Sequence, residues 1–414
     1  MRIRIREGTL FFIFWMILLI IQSPLERVSS LFNYLDEVTA LLGIVTTILY
    51  FRKFSTLNAI YYEKMVIILL SLFVAIGLLA NLIYNYQPLS YVVQDLFVNE
   101  KFFLSVMLGF FIFQKEIVNK DRKQISSVMR VVSQIFLVLF LIDRATSLFG
   151  YSEVRYGIRS FKLNYQHETY LAAALAGLIC LLIIFYEKKN LKYIVIDTIM
   201  MAFTLRSKSF GAAIALIMIA YVVFIHNGRF RVWQLLILAL LGLLVGWSQF
   251  SFYFVDLAGK SARSKMLTTS ISIMKDYFPI GTGFATYASH MAGAHYSPVY
   301  IKYGFQYIYE LRNSSQGTFF DDQFWPIIFG QTGAIGTVAY IGILIVYFRR
   351  ISTIRSQNKY VYCGSLFAFI YLLISSIAEP AFNNSVACLF GVVLGVVFKQ
   401  YCSGSINIQG NAYE

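Results

Sequence analysis

Three groups of cations and one pair of carboxylates stand out as groups that could do chemistry. Arg155, Arg159 and Lys162 fall in "VRYGIRSFKLNYQHE", Arg206 and Lys208 in "TLRSKSFGAAIAL", and Lys260, Arg263 and Lys265 in "GKSARSKM". Guanidinium forks pair bidentately with phosphate oxygens, and each charge-assisted bond is worth about 1.5–3 kcal/mol. Three such clusters suit a multiply charged anion, and beside a bilayer the obvious one is a membrane-embedded pyrophosphate. Asp321 and Asp322, in "GTFFDDQFW", offer either a helix N-cap or a general base. His290 and His295, in "SHMAGAHYS", stand five apart. A zinc pair on a helix needs i, i+4 spacing and a third ligand, so no metal is expected and the two histidines read as reserve proton acceptors.

The elements that must position these groups are membrane helices. Of 414 residues, 58% are hydrophobic and 14% charged, where a soluble chain carries about 25% charge. Long apolar runs recur, each able to cross roughly 30 Å of hydrocarbon as helix. About twelve are expected, at 8–23, 35–51, 65–84, 101–114, 128–149, 168–186, 191–205, 209–225, 231–248, 323–348, 360–377 and 382–399. The class is an all-α polytopic membrane protein. The basic head and apolar run of "MRIRIREGTLFFIFWMILLIIQSP" lack a small-x-small cleavage site and read as a retained first helix. Cys180, Cys363, Cys388 and Cys402 show no paired spacing, which indicates neither a disulfide framework nor a metal site.

Orientation follows from the Lys/Arg bias. The segments "RIRIR", "QKEIVNKDRKQ", "EKKNLK", "GRFR" and "RRISTIRSQNK" place both termini inside. The expected division is 1–248 for the first nine spans, 249–322 for one large extracytoplasmic loop, 323–400 for the last three spans and 401–414 for a cytoplasmic tail. The net charge of +14 is dispersed over short loops rather than gathered in a patch, which argues against nucleic acid. The three cation clusters lie on the outer side, against the insertion bias. Snorkelling to lipid phosphates or pairing with Glu153 and Glu168 explains any one of them. An anion held on that side explains all three. In the loop, Tyr287, Tyr296, Tyr300, Tyr303, Phe305, Tyr307 and Tyr309 suit either sugar stacking or an interfacial aromatic belt.

The run "GKSARSKMLTTSISIMKDYFPIGTGFATYAS", followed by "DDQFWPIIFGQTGAIGTVAYIGIL", resembles the O-antigen polymerase and ligase superfamily. The shared pattern is a basic amphipathic helix, then P-x-G-x-G, a variable loop, and a polar return into E-x-G-x-x-G. Here that last element reads Gln331, Gly333, Gly336, with Gln in place of the acid. "RSFKLNYQHETYLA", "LRSKSFGAAIAL" and "SSIAEPAFNNSVACLFGVVLGVVF" are similar to further family segments, so the resemblance spans roughly residues 150–400.

The resemblance implies a GT-C-like fold in a bacterial cytoplasmic (inner) membrane. It also implies a glycosyltransferase whose donor is an undecaprenyl-diphosphate-linked oligosaccharide, independent of metal, cofactor and nucleotide sugar, with a chain-length regulator protein as a further partner. Family ligases place a His-Asn pair where Asp322 and Gln323 stand here, which favours a polymerase of O-antigen, capsule or exopolysaccharide over a ligase. In the expected reaction a sugar hydroxyl attacks the anomeric carbon of a lipid-linked chain. Asp322, or else His290 or His295, accepts the proton, and Arg155, Arg159, Arg206, Lys208 and Arg263 hold the diphosphate. A lipid-linked oligosaccharide flippase is the rival of another class. It would be marked by internal repeats, broken helices and short loops, and none of these is evident in the sequence.

Overall fold

The computed structural model describes residues 7–56, 61–113, 117–149, 153–228, 261–312 and 320–402, with isolated positions 240 and 251. The chain is an all-α membrane protein. Five of its described helices are long and apolar enough to cross a membrane, and the only strands described are two-residue ones in a small hairpin. In chain order the helices are α1 (Glu7–Ile20), α2 (Gln22–Glu26), α3 (Leu35–Thr56), α4 (Tyr61–Tyr84), α5 (Leu89–Ile112), α6 (Ile117–Lys120), α7 (Arg122–Thr146) and α8 (Glu168–Ile184). They continue as α9 (Leu191–Ala202), α10 (Ser207–Ile225), α11 (Ala262–Asp276), α12 (His290–Ala294), α13 (Pro298–Lys302), α14 (Phe324–Ser352), α15 (Lys359–Ser375) and α16 (Ser385–Cys402). A helix stands wherever a span was expected except at 231–248, which lies outside the described residues, as do Lys260 and most of the 401–414 tail.

The bundle packs through small residues, as helices in lipid must when burial from water gives them no reason to associate. The most extensive pairing joins α5 and α16. There a Cβ at Gly391 would sit 2.8 Å from the Phe102 carbonyl, and Gly395 backs onto the Gly109 Cα. Helix α8 is enclosed almost throughout, from Leu171 to Ile184. The segment 261–312, joined by Phe320, forms a lobe with its own core of Met266, Tyr287, Tyr300, Phe305 and Phe320, separate from the bundle's core. Ser261 caps α11 by accepting from the Ser264 amide at 3.2 Å. We call the side on which this lobe sits the lobe end.

Three expectations are corrected. Helix α5 begins at Leu89 rather than near residue 101. Hydropathy falls at Asp95, Asn99, Glu100 and Lys101, but the helix continues because three of them, Asp95, Asn99 and Lys101, find partners, whereas a Glu100 oxygen is buried with none. Asp95 accepts from the Ala285 amide at 2.8 Å, and Lys101 bonds Asp36 at 2.7 Å. Second, the span expected over 323–348 is broken. Gly333 sits at φ 59°, ψ −154°, and the Phe324 and Tyr340 rings lie 5.2 Å apart, where a straight helix would separate their backbones by about 24 Å. The helix doubles back, so the absence of broken helices read from the sequence is overturned. Third, neither aromatic reading holds for Tyr287, Tyr300 and Phe305. They are fully buried in the lobe core, with the Tyr287 hydroxyl donating to the Met266 carbonyl at 2.6 Å and the Tyr300 hydroxyl accepting from the Ala288 amide at 2.9 Å.

The break in α14 is filled by the lobe. Thr282 and Gly283 donate their amides to the carbonyls of Gly330 and Gln331 at 3.0 and 2.8 Å, and the Ile335 amide donates to Pro279 at 3.1 Å. Backbone groups freed by a broken helix must find partners, and here a second backbone supplies them. Glycine is required on both sides. Gly281 has φ +76°, and a Cβ there would lie 2.5 Å from the Gly333 nitrogen, while one on Gly333 would lie 2.7 Å from the Pro279 oxygen. Asn81 of α4 fastens the joint, accepting from the Phe284 amide at 2.7 Å and donating to its carbonyl at 2.9 Å.

Candidate functional site

The described cations singled out in the sequence lie toward the lobe end, and each arginine among them faces a carboxylate. A short hairpin pairs Val154–Arg155 with Ile158–Arg159 just before α8. Arg155 bonds Glu153 at 2.9 Å. Burial would raise the Glu153 carboxyl, but Arg155 and Arg206 outweigh it and hold the group below the usual carboxylate range. Arg159 turns the other way, to the side chain and carbonyl of Asp143 near the end of α7, with Arg144 on the same carboxylate at 3.2 Å. Arg159 is thereby tied into the α7 terminus rather than grouped with Arg206.

Arg206 is the N-cap of α10, and its side chain is 13% exposed. One terminal nitrogen lies 2.5 Å from Glu168, 3.3 Å from Glu153 and 3.1 Å from Nε2 of His167. Its Nε is buried without a partner. His167 caps α8, its Nδ1 lying 2.9 Å from the Thr169 hydroxyl. Burial, and then Arg206, push this imidazole down to about 4, so the ring is neutral at neutral pH, with one of its two nitrogens a donor and the other an acceptor. Lys208, on the first turn of α10, is 6% exposed and paired with Glu379, which lies between α15 and α16.

The third cluster reaches the same end from the lobe. Arg263, on the first turn of α11, lies 3.4 Å from Asp322, and His290 lies 3.7 Å from Asp321. The two adjacent carboxylates thus face opposite ways. Neither is the N-cap of α14; Gln323 holds that position and makes no side-chain cap bond. Burial raises the Asp322 carboxyl, with Arg263 opposing and Asp321 adding to the rise. The bond to Asp321 raises His290. His295 is placed elsewhere, with its ring stacked 3.5 Å from that of Tyr91 at the start of α5. Lys265 lies 5.9 Å from the Phe305 ring.

One contact ties the lobe side to the bundle side: Trp325, three residues after Asp322, donates to Ser376 at 3.1 Å, just before Glu379. Beside Glu379 runs a slit of about 10 Å³ lined by Tyr170, Tyr371, Ser375, Glu379, Asn384 and Phe390, roughly the room of one water. A diphosphate enters there only if side chains move. No group of three or more His, Cys, Asp or Glu capable of holding a metal is found among the described residues.

His167, Tyr170 and Glu379 were not singled out in the sequence. His167 and Tyr170 stand in the quoted "NYQHETYLA" and Glu379 in "SSIAEPAF", but nothing in their spacing says that they meet Arg206 and Lys208. Compared with known proteins, the chain matches no protein-family model and no curated protein.

Proposed function

We propose that the chain is a glycosyltransferase of the cytoplasmic membrane, with about twelve spans and a GT-C-like fold, that joins lipid-diphosphate-linked oligosaccharide repeat units on the outer face. The lobe end is the outer end in this reading, and both termini are cytoplasmic. The carrying observation is the convergence of Arg206, Lys208, Arg263 and Asp322 at that end, each held by a neighbour of opposite charge. The carboxylates orient the cations rather than exhaust them, since Arg206 keeps its Nε free of any partner. Arg206 and Lys208 grip the diphosphate, and Arg263 sets the charge on Asp322. Asp322 takes the proton from the attacking hydroxyl as the new glycosidic bond forms and the bond to the lipid diphosphate breaks. The leaving diphosphate is already a good one, so positioning and charge carry most of the work.

The broken α14 is the one observation that favours a flippase, because transporters build substrate sites at such breaks. Here the carbonyls of Gly330 and Gln331 and the amide of Ile335 are bonded to the lobe's backbone rather than turned to a path. The glycan profile of a strain lacking the gene separates the readings. Loss of a polymerase leaves a single capped repeat unit. Polymer retained on its lipid would mean a ligase, and no repeat units on the outer side would mean a flippase.

A further inference from the structure

The end of the bundle opposite the lobe carries a second basic feature, which the proposed reaction does not use. Helix α9 starts at Leu191, directly after a turn over Lys188–Asn190. Around that start lies an open-sided cleft of about 570 Å³, lined by Arg130, Lys188, Lys189, Leu191, Lys192 and Tyr193. That volume falls within the roughly 300–1,000 Å³ of small-molecule sites. Among the described residues that line it, four of six are cations and none is an acid. The neighbouring carboxylate, Glu187, is turned to Arg122 at 3.7 Å.

The walls are fixed rather than loose. Arg130 donates to the Ser126 hydroxyl at 2.7 Å and to Asn190 Oδ1 at 2.8 Å, and Asn190 is itself fully buried, donating to the Leu182 carbonyl at 2.8 Å. Asn190 is committed to these bonds and makes no side-chain cap on α9. Tyr193 accepts from Gln134 at 2.6 Å, and Lys192 lies 4.7 Å from its ring.

The geometry points to a binding site for the phosphate headgroup of an anionic membrane lipid. The cleft opens onto a stripe of Leu191, Val195 and Ile199, which are 58%, 50% and 50% exposed and lie one turn apart along α9. A free phosphate would use the cations alone. A lipid uses both, with its phosphate among Arg130, Lys188, Lys189 and Lys192 and its chains along the stripe, as basic pockets between membrane helices do.

The test is retention of phosphatidylglycerol by the full-length protein, moved from mixed phosphatidylglycerol and phosphatidylcholine vesicles into detergent and quantified by mass spectrometry. Each lysine removed in the Lys188→Ala, Lys189→Ala, Lys192→Ala series is expected to weaken retention roughly fivefold. A control with the same charge change at the same end, Lys64→Ala with Arg349→Ala and Lys359→Ala, is expected to leave retention unchanged. Leu191→Ser with Val195→Ser is expected to lower retention while leaving the binding of inorganic phosphate as it was. The proposal is overturned if the cleft series retains as much lipid as the native chain, or if the control weakens retention equally. It also fails if the stripe variant retains full lipid while inorganic phosphate displaces it, because the site would then take a free anion.

Discussion

The joint at Gly281 and Gly333 and the charged network around Arg206 and Glu379 are built on opposite principles. The joint is backbone against backbone, with no charge, and it tolerates not even a methyl group. The network is made of long polar side chains, with Glu168 and Lys208 buried and Arg206 and Glu379 largely so, and it includes a buried donor with no partner. The first can only fix geometry. The second costs stability through desolvation, and such groups inside a membrane protein mark function. The joint anchors the lobe on α14, and this brings Arg263 of the lobe against Asp322 at the start of α14.

The largest effect is expected from breaking the joint. Gly333→Ala forces a left-handed backbone on alanine, itself about 1–3 kcal/mol, and drives its Cβ into Pro279. The yield of monodisperse protein and its thermal unfolding in detergent should both collapse; an unchanged melting temperature would remove the joint from the fold's essentials. Breaking the network is expected to cost less. Glu379→Ala leaves Lys208 buried and uncompensated, about 3–5 kcal/mol. Adding Lys208→Met should return most of that stability, measured by the same unfolding, without restoring polymer. A double variant that makes polymer would show the pair to be structural only.

Smaller effects sharpen the contrast. Asp322→Asn should leave unfolding almost unchanged while lowering turnover by about 10²–10⁴-fold, the usual contribution of a positioned base. Because burial raises the Asp322 carboxyl, the acidic limb of the native pH–rate profile should lie above the ordinary value of about 3.9. Arg263 opposes that rise, so Arg263→Gln should move the limb higher still. The same sign makes Asp322 a group that favours the folded state at low pH and loses that contribution as pH rises through its raised value. The smallest effect belongs to His290, which is largely exposed. Its bond to Asp321 is at full strength below about 6.5 and fades as pH rises past its raised value, so His290→Gln should trim stability slightly at low pH and not at all above.

Much of the fold was legible because it follows from apolar length alone. The runs that became α4, α8, α10 and α15 announce themselves in composition. What composition hid is what polar groups do when partners come from far along the chain. Asp95 ended the apparent span near residue 101, yet it bonds Ala285, and nothing local to either residue says so. The two glycine motifs, P-x-G-x-G and Q-x-G-x-x-G, were read separately as marks of a family, whereas in the structure they are two halves of one joint. For the site, the cations were visible as charges in unexpected places, and Glu153 and Glu168 as acids close enough to pair with them. Glu379 and Asp143 were not, because they look like ordinary boundary carboxylates until the bundle closes.

The most direct measurement compares the chain-length distribution of surface polysaccharide in a strain lacking the gene and complemented with the native chain, Arg206→Ala or Arg206→Lys, at equal membrane levels. A bidentate grip on a lipid diphosphate predicts ladders of long polymer with the native chain and single repeat units with both variants, since lysine keeps the charge but not the fork. Long polymer from Arg206→Ala would contradict the grip, and long polymer from Arg206→Lys would reduce it to charge alone.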